Sequence, residues 1–219
     1  MRAVWRATNV RGTIHVGLNT PMSDPLSFAI GVRIGLATGM RIGEILGLLW
    51  DSVDLDAGTI VVRRSLSRKS GLKEPKTKAG VRTVSIDAKT IWHLAKWKRE
   101  QADILSRISV EQGDLTPVCC NGFGKLYDYY MFWRQFKEFK EEAGFPDLVL
   151  HELRHTQASL LLGNGVDVKT VQKRLGHARA SITLDTYAHA IPENDKKAAE
   201  LVGDLCTVKR GRIIKVKTA

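Results

Sequence analysis

Residues 26–49 carry apolar positions that read as two helices, broken at Thr38-Gly39, with Ile45, Leu48 and Leu49 as the core stripe of the second. Asn19, Pro21, Ser23 and Pro25 precede them as turn and helix-entry residues. Residues 50–58 are polar and read as a turn. Residues 59–66, with Ile60, Val61 and Val62, read as a strand; a second strand ends near Glu74-Pro75, and 81–86 form a third. Lys78-Ala79-Gly80 then falls at a hairpin tip, where glycine tolerates the backbone that such a turn requires.

The remainder reads as helical. Asp87 caps a helix running to about residue 108. Phe132, Phe136 and Phe139 recur at helical spacing within 127–143, a stripe read as core rather than as a base-stacking platform. Residues 151–162, 167–175, 181–189 and 193–203 give four more short helices, punctuated by Gly163, Gly165, Gly176 and Pro192. The pair flanking Asn164-Gly165 resembles a helix-turn-helix, but a loop alone does not establish DNA reading. The pattern predicts a mainly helical α+β chain with a small three-stranded antiparallel sheet. Residues 1–22 read as a tail or linker remnant, 23–205 as the folded domain, and 206–219 as a basic tail. That tail fits a solvated end, a DNA-contacting arm or an expression scar equally well.

Composition adds a partner class. With 43% hydrophobic residues the 219-residue chain can bury a core, which excludes wholesale disorder. Lys and Arg number 34 against 23 Asp and Glu, a formal charge of +11 that favours a polyanion, either nucleic acid or an acidic membrane surface. The most apolar stretch, 28–40, is broken by Arg33 and glycines, and residues 1–20 lack a signal-type apolar run. A cytoplasmic protein without membrane attachment is expected. Cys119, Cys120 and Cys206 have neither disulfide-framework nor metal-site spacing and read as free thiols.

Four separated segments hold the candidate chemistry. They are Thr38-Gly39-Met40-Arg41-Ile42-Gly43-Glu44, then Pro75-Lys76-Thr77-Lys78-Ala79-Gly80-Val81-Arg82, then His151-Glu152-Leu153-Arg154-His155, and finally Leu175-Gly176-His177, followed ten residues on by Tyr187. Singly each has a plain explanation; an Arg41–Glu44 pair one turn apart contributes only about 0.2–0.5 kcal/mol. In this order and spacing they resemble the tyrosine recombinases, the phage-type integrases. The resemblance covers roughly residues 25–205. It matches the first arginine box at Arg41, the hairpin lysine at Lys78, the His-x-x-Arg box at His151 and Arg154, the Leu-Gly-His box at His177 and the nucleophile box at Tyr187.

The chemistry of those residue types agrees. A phosphodiester under attack gathers charge on its non-bridging oxygens, and Arg41 and Arg154 present fixed, paired, permanently ionised donors to them. His151 and Arg154, three residues apart, share one helix face, and His177 adds a donor. A tyrosine with a pKa of about 10 needs a base, for which His151 is the candidate, and the leaving 5′ oxygen needs an acid. Lys78 is the candidate acid by its match to the family's hairpin position, with Lys76 the alternative. Glu44 and His155 are expected to orient these groups, and Lys76, Arg82, Lys169 and Lys173 to bind DNA. The resemblance implies the DNA breaking-rejoining catalytic-domain fold, a 3′-phosphotyrosyl intermediate, double-stranded DNA at attachment-type sites as partner, and no cofactor or metal. It further implies a homotetramer on DNA, in which the helix near 193–205 docks on a neighbour through Ala198, Leu201, Val202 and Leu205; without DNA a monomer is expected.

Three rival readings stand beside it. His151-Glu152-Leu153-Arg154-His155 literally matches the zinc-peptidase His-Glu-x-x-His pattern, yet Arg154 would set a fixed cation beside the metal and no third-ligand motif follows. A type IB topoisomerase shares the chemistry, but the arginine and Leu-Gly-His boxes resemble integrases more closely. A DNA-binding protein that has lost catalysis would not need the intact set. The chain departs from the family at Ser85, where a proline is usual, and in having no convincing helix just before Pro25. No core-binding or arm-binding domain is recognisable before residue 25, so the chain is read as a catalytic domain alone, expected to cleave strands but to recombine intact sites poorly.

Overall fold

A computed structural model describes residues 25–74, 81–187 and 200. Pro25 opens α1 (Pro25–Thr38), at a position where its missing N–H is no loss. Phe28, Val32 and Ile34 are buried, and so is Arg33 on another face, so this helix is enclosed nearly all round. It stops where the sequence predicts. Thr38 Oγ1 turns back to donate to the Ile34 carbonyl at 2.6 Å, and Gly39 takes φ +67°, a left-handed conformation that favours glycine. A Cβ at Gly39 would strike Gln157 Oε1 and lie 2.8 Å from Leu175 Cδ2. Gly39→Ala is therefore expected to destabilise the fold by more than about 1 kcal/mol, read as a lower midpoint in thermal unfolding.

The short helix α2 (Ile42–Leu46) follows. Residues 50–58, read above as a polar turn, are instead a 3-10 turn (Trp50–Ser52), then β1 (Val53–Asp54), then a true turn at Gly58. Trp50 is buried because its indole N–H reaches Gln101 Oε1 at 2.6 Å, which satisfies its one polar atom. β1 pairs with β2 (Thr59–Val62), which pairs with β5 (Arg82–Ser85), Ile60 opposite Val84, so the antiparallel order is β1-β2-β5. The sheet has three antiparallel strands as expected, but β1 is an unforeseen member and the strand expected to end near Glu74 lies outside it.

The single strand expected at 59–66 is split. Arg63 and Arg64 both turn to Asp51: Arg64 donates to its two carboxylate oxygens at 2.7 and 2.8 Å, and Arg63 Nη2 lies 3.0 Å from Oδ2. The Arg64 hydrogen bonds lead in holding the Asp51 carboxyl down at about 2. Beyond this ionic knot, β3 (Ser65–Ser67) and β4 (Gly71–Lys73) form a separate ribbon.

Asp87 caps α3 (Ala88–Ser106) by accepting from the amides of Lys89 and Thr90. α4 (Tyr129–Glu142) buries Phe132, Phe136 and Phe139, the first with its ring centroid 5.0 Å from that of Phe28. The stripe is core, as its spacing predicts. α5 (Leu150–Gly163), α6 (Val168–Leu175) and α7 (Ala180–Tyr187) complete the chain's described part. Ala158 and Leu162 of α5 meet Val171 and Leu175 of α6 in a second, smaller core. Cys119 and Cys120 are buried thiols, and burial pushes the Cys119 thiol far up. Among the described residues no helix is long and apolar enough to cross a membrane. The expected hairpin tip, the helix at 193–203, Cys206 and the basic tail lie outside the described residues.

Candidate active site

Arg41 is the last extended residue before α2, with φ −71° and ψ 151°. Its side chain stays 45% exposed, while Glu44, one turn on, is buried beside it. The Glu44 carboxylate takes four hydrogen bonds. Oε1 accepts from Arg41 Nη1 at 3.1 Å and Arg82 Nη1 at 3.0 Å; Oε2 accepts from the Arg41 amide at 2.8 Å and Arg82 Nη2 at 2.8 Å. These fill the acceptor sites of an ionised carboxylate. Burial alone would raise its pKa, but the Arg82 hydrogen bonds and charge, then those of Arg41, outweigh that and hold the carboxyl below its ordinary range.

Helix α5 supplies the next two residues. His151 and Arg154 line the same cleft as Arg41, a hollow of about 440 Å³ between α2, the β3 ribbon and the N-terminal turns of α4 and α5. Arg154 is only 2% exposed. Its Nη1 donates to the Gly39 carbonyl at 2.7 Å and its Nη2 to the Leu175 carbonyl at 2.5 Å. It thereby ties the α1–α2 turn to the end of α6, where the last carbonyls lack helical partners. His151 is exposed, with its ring edge-on to His155 at 4.5 Å between centroids. Burial, then the neighbouring His155, Arg154 and Arg41, hold its pKa below the usual imidazole value. At neutral pH the ring is uncharged, the state that accepts a proton.

His177 follows the left-handed C-cap Gly176 (φ +68°) of α6. Its Nδ1 lies 2.9 Å from the buried Thr183 Oγ1 on α7. Burial, followed by the charges of Arg154, Arg41 and Arg82, brings its pKa down to about 4. His93 on α3 is likewise brought down to about 4, by burial and then Arg33. An unfolded chain protonates these rings near pH 6.5, while the folded one resists to about 4. Their contribution to stability is thus full above about pH 6.5 and lost as pH falls towards 4. Thermal midpoints are expected to drop across that window, with a shallower decline in His93→Gln.

The structure brings Arg41, His151 and Arg154 to one cleft, with Glu44 and His155 in contact with them. Tyr187 lies on α7, one helical turn beyond Thr183, and its side chain lies outside what is described. Lys76 and Lys78 lie outside the described residues. Lys169 and Lys173 are exposed one turn apart on α6, and Lys173 lines a second hollow of about 330 Å³ with His177. Arg82, expected to contact DNA, is placed against protein acceptors. Its guanidinium is 6% exposed and is committed to Glu44 and to the Arg174 carbonyl at 2.8 Å. Among the described residues, no three His, Cys, Asp or Glu gather as a metal site.

Two cleft residues escape sequence reasoning. The Arg68 guanidinium sits 4.3 Å above the Tyr129 ring, and both line the cleft. The run Arg63, Arg64, Arg68 and Lys69 was the available signal for the arginine; nothing in the sequence marks Thr183 as the partner of His177.

Comparison with known proteins identifies the family. The family model described as the phage integrase family matches residues 17–194. The chain is 30% identical over 175 residues to the ICEBs1 integrase of Bacillus subtilis (strain 168), covering 75% of this chain and 45% of that one. It thus spans about half the length of the curated relatives it matches. The fold superposes on the crystal structure of XerA recombinase with a TM-score of 0.62 at 21% identity, covering 97% of this chain and 63% of the other. The catalytic domain of bacteriophage HP1 integrase matches with a TM-score of 0.55 at 24% identity, covering 94% of each chain. With a family match across most of its length, and Arg41, His151 and Arg154 meeting in one cleft, the chain belongs to the phage integrase family.

Proposed function

We propose that this chain is the catalytic part of a site-specific DNA recombinase, with residues 23–205 as its catalytic domain and double-stranded DNA as its substrate. The observation that carries this reading is the meeting of Arg41, His151 and Arg154 in one cleft. His177 is close enough for the charges of both arginines to lower its pKa. A scissile phosphate in that cleft would meet guanidinium donors on its non-bridging oxygens. The Tyr187 oxygen attacks phosphorus while its proton passes to the neutral His151. The bond to the 5′ oxygen breaks, and Lys78 protonates that oxygen; Lys76 is the other candidate. A 3′-phosphotyrosyl ester results. Attack by a 5′ hydroxyl reverses each step, so rejoining consumes no nucleotide. The exposed Lys169 and Lys173 are suited to the DNA backbone, where each phosphate contact adds to the salt dependence. Work in the cytoplasm and assembly as a tetramer on two sites complete the proposal.

The test is covalent selection. The protein is incubated with duplexes of randomised sequence, nicked near the centre so that the short released strand diffuses away and rejoining fails. A protein–DNA adduct that survives denaturant and is removed by protease is expected, and sequencing the captured duplexes identifies the preferred site. DNA retention on a filter without any adduct would overturn the proposal.

A further inference from the structure

Arg82 lies in β5, away from the main cleft, yet it touches both sides of the site. Its Nη1 and Nη2 grip the Glu44 carboxylate at 3.0 and 2.8 Å, and the same carboxylate holds Arg41 through its amide and its Nη1. Its Nε donates to the Arg174 carbonyl at 2.8 Å, at the end of α6, where backbone oxygens lack helical partners. The next turn of chain rests on it: a Cβ at Gly176 would lie 2.9 Å from Arg82 Nη1 and 3.1 Å from its Cδ. His177 is the residue after that glycine. A planar guanidinium with donors on three nitrogens can face a carboxylate and a carbonyl at once, which an ammonium cannot do in the same geometry.

We infer that Arg82 is a positioning residue that fixes Arg41 relative to His177, acting through Glu44 on one side and the C-terminal backbone of α6 on the other. It touches no substrate. The inference rests on the proposed role of Arg41 and His177 as phosphate donors. Displacing donors by about 1 Å costs up to about 100-fold in rate, so Arg82→Lys and Arg82→Met are expected to slow cleavage by about 10–100-fold.

A merely structural defect would slow every substrate alike, so the readout is the chemistry of the scissile group. Single-turnover cleavage is measured on the duplex recovered by covalent selection, once with an ordinary phosphodiester and once with a methylphosphonate at the scissile position. The methylphosphonate lacks one anionic oxygen and relies less on well-placed cationic donors. Rates are taken per folded protein from thermal unfolding, and Arg82→Lys decides where Arg82→Met does not fold. The expected result is a defect that shrinks at least severalfold on the methylphosphonate for Arg82→Lys, as for the control Arg41→Ala. Equal defects on both substrates for Arg82→Lys, or wild-type rates, would overturn the inference while a relieved Arg41→Ala leaves the donor reading standing. An Arg41→Ala defect unrelieved by the methylphosphonate would remove the donor reading, and the inference with it.

Discussion

Tyr187→Phe is expected to form no covalent adduct with nicked DNA, below about one part in 10⁴ of wild type, while retaining DNA on a filter as wild type does. The size of the effect follows from the chemistry. Phenylalanine has no atom that can bond to phosphorus, and a neighbouring residue would have to reach the same line of attack to replace it. His151, three residues from Arg154 on α5, is proposed as the base that takes the phenol's proton, not as the atom that bonds to phosphorus. Position 187 lies on α7, and α7 is tied to His177 through Thr183 at 2.9 Å. Phenylalanine keeps the ring and removes one oxygen, so retention and thermal midpoint should stay within error. An adduct formed by Tyr187→Phe would assign the nucleophile elsewhere and break the match to the family's last box.

Much of this site was legible because recombinase-like chemistry is written in short local boxes. The resemblance to the family picks out Arg41, His151, Arg154 and His177 from such boxes, and the shared helix face of His151 and Arg154 follows from spacing alone. What the sequence hid is what depends on partners far along the chain. Arg82 is 38 residues from Glu44 and read as one more cation on a basic chain. Only the fold reveals that it is buried against a carboxylate. Trp50 is 51 residues from Gln101, the acceptor that lets an indole sink into the core where a polar turn was expected. The break between β2 and β3 likewise depends on Asp51, 13 residues before Arg64. The long helices were the easiest elements to see, since caps such as Asp87 and stripes such as Phe132, Phe136 and Phe139 are local signals.

Removing the carboxylate at the centre of this network should cost more stability than any surface change. In Glu44→Ala, Arg82 keeps its charge at 6% exposure with its main counter-ion gone, and the Arg41 amide loses its acceptor. Breaking one side of a buried pair costs about 3–5 kcal/mol, a large share of the roughly 5–15 kcal/mol that holds a domain folded. Glu44→Gln should cost less, because an amide oxygen still accepts from one guanidinium, although the charge is lost. The decisive comparison is the double variant Glu44→Ala/Arg82→Met. With no charge left to desolvate, its cost in chemical denaturation should fall well below the sum of the two single costs, a coupling of about 1–3 kcal/mol. Additive costs would mean that the two side chains stabilise the fold independently, and the geometry around Glu44 would then not act as one unit. Cleavage should separate from stability in the same series: the double variant regains folding but not the placement of Arg41, so it stays slow while folded.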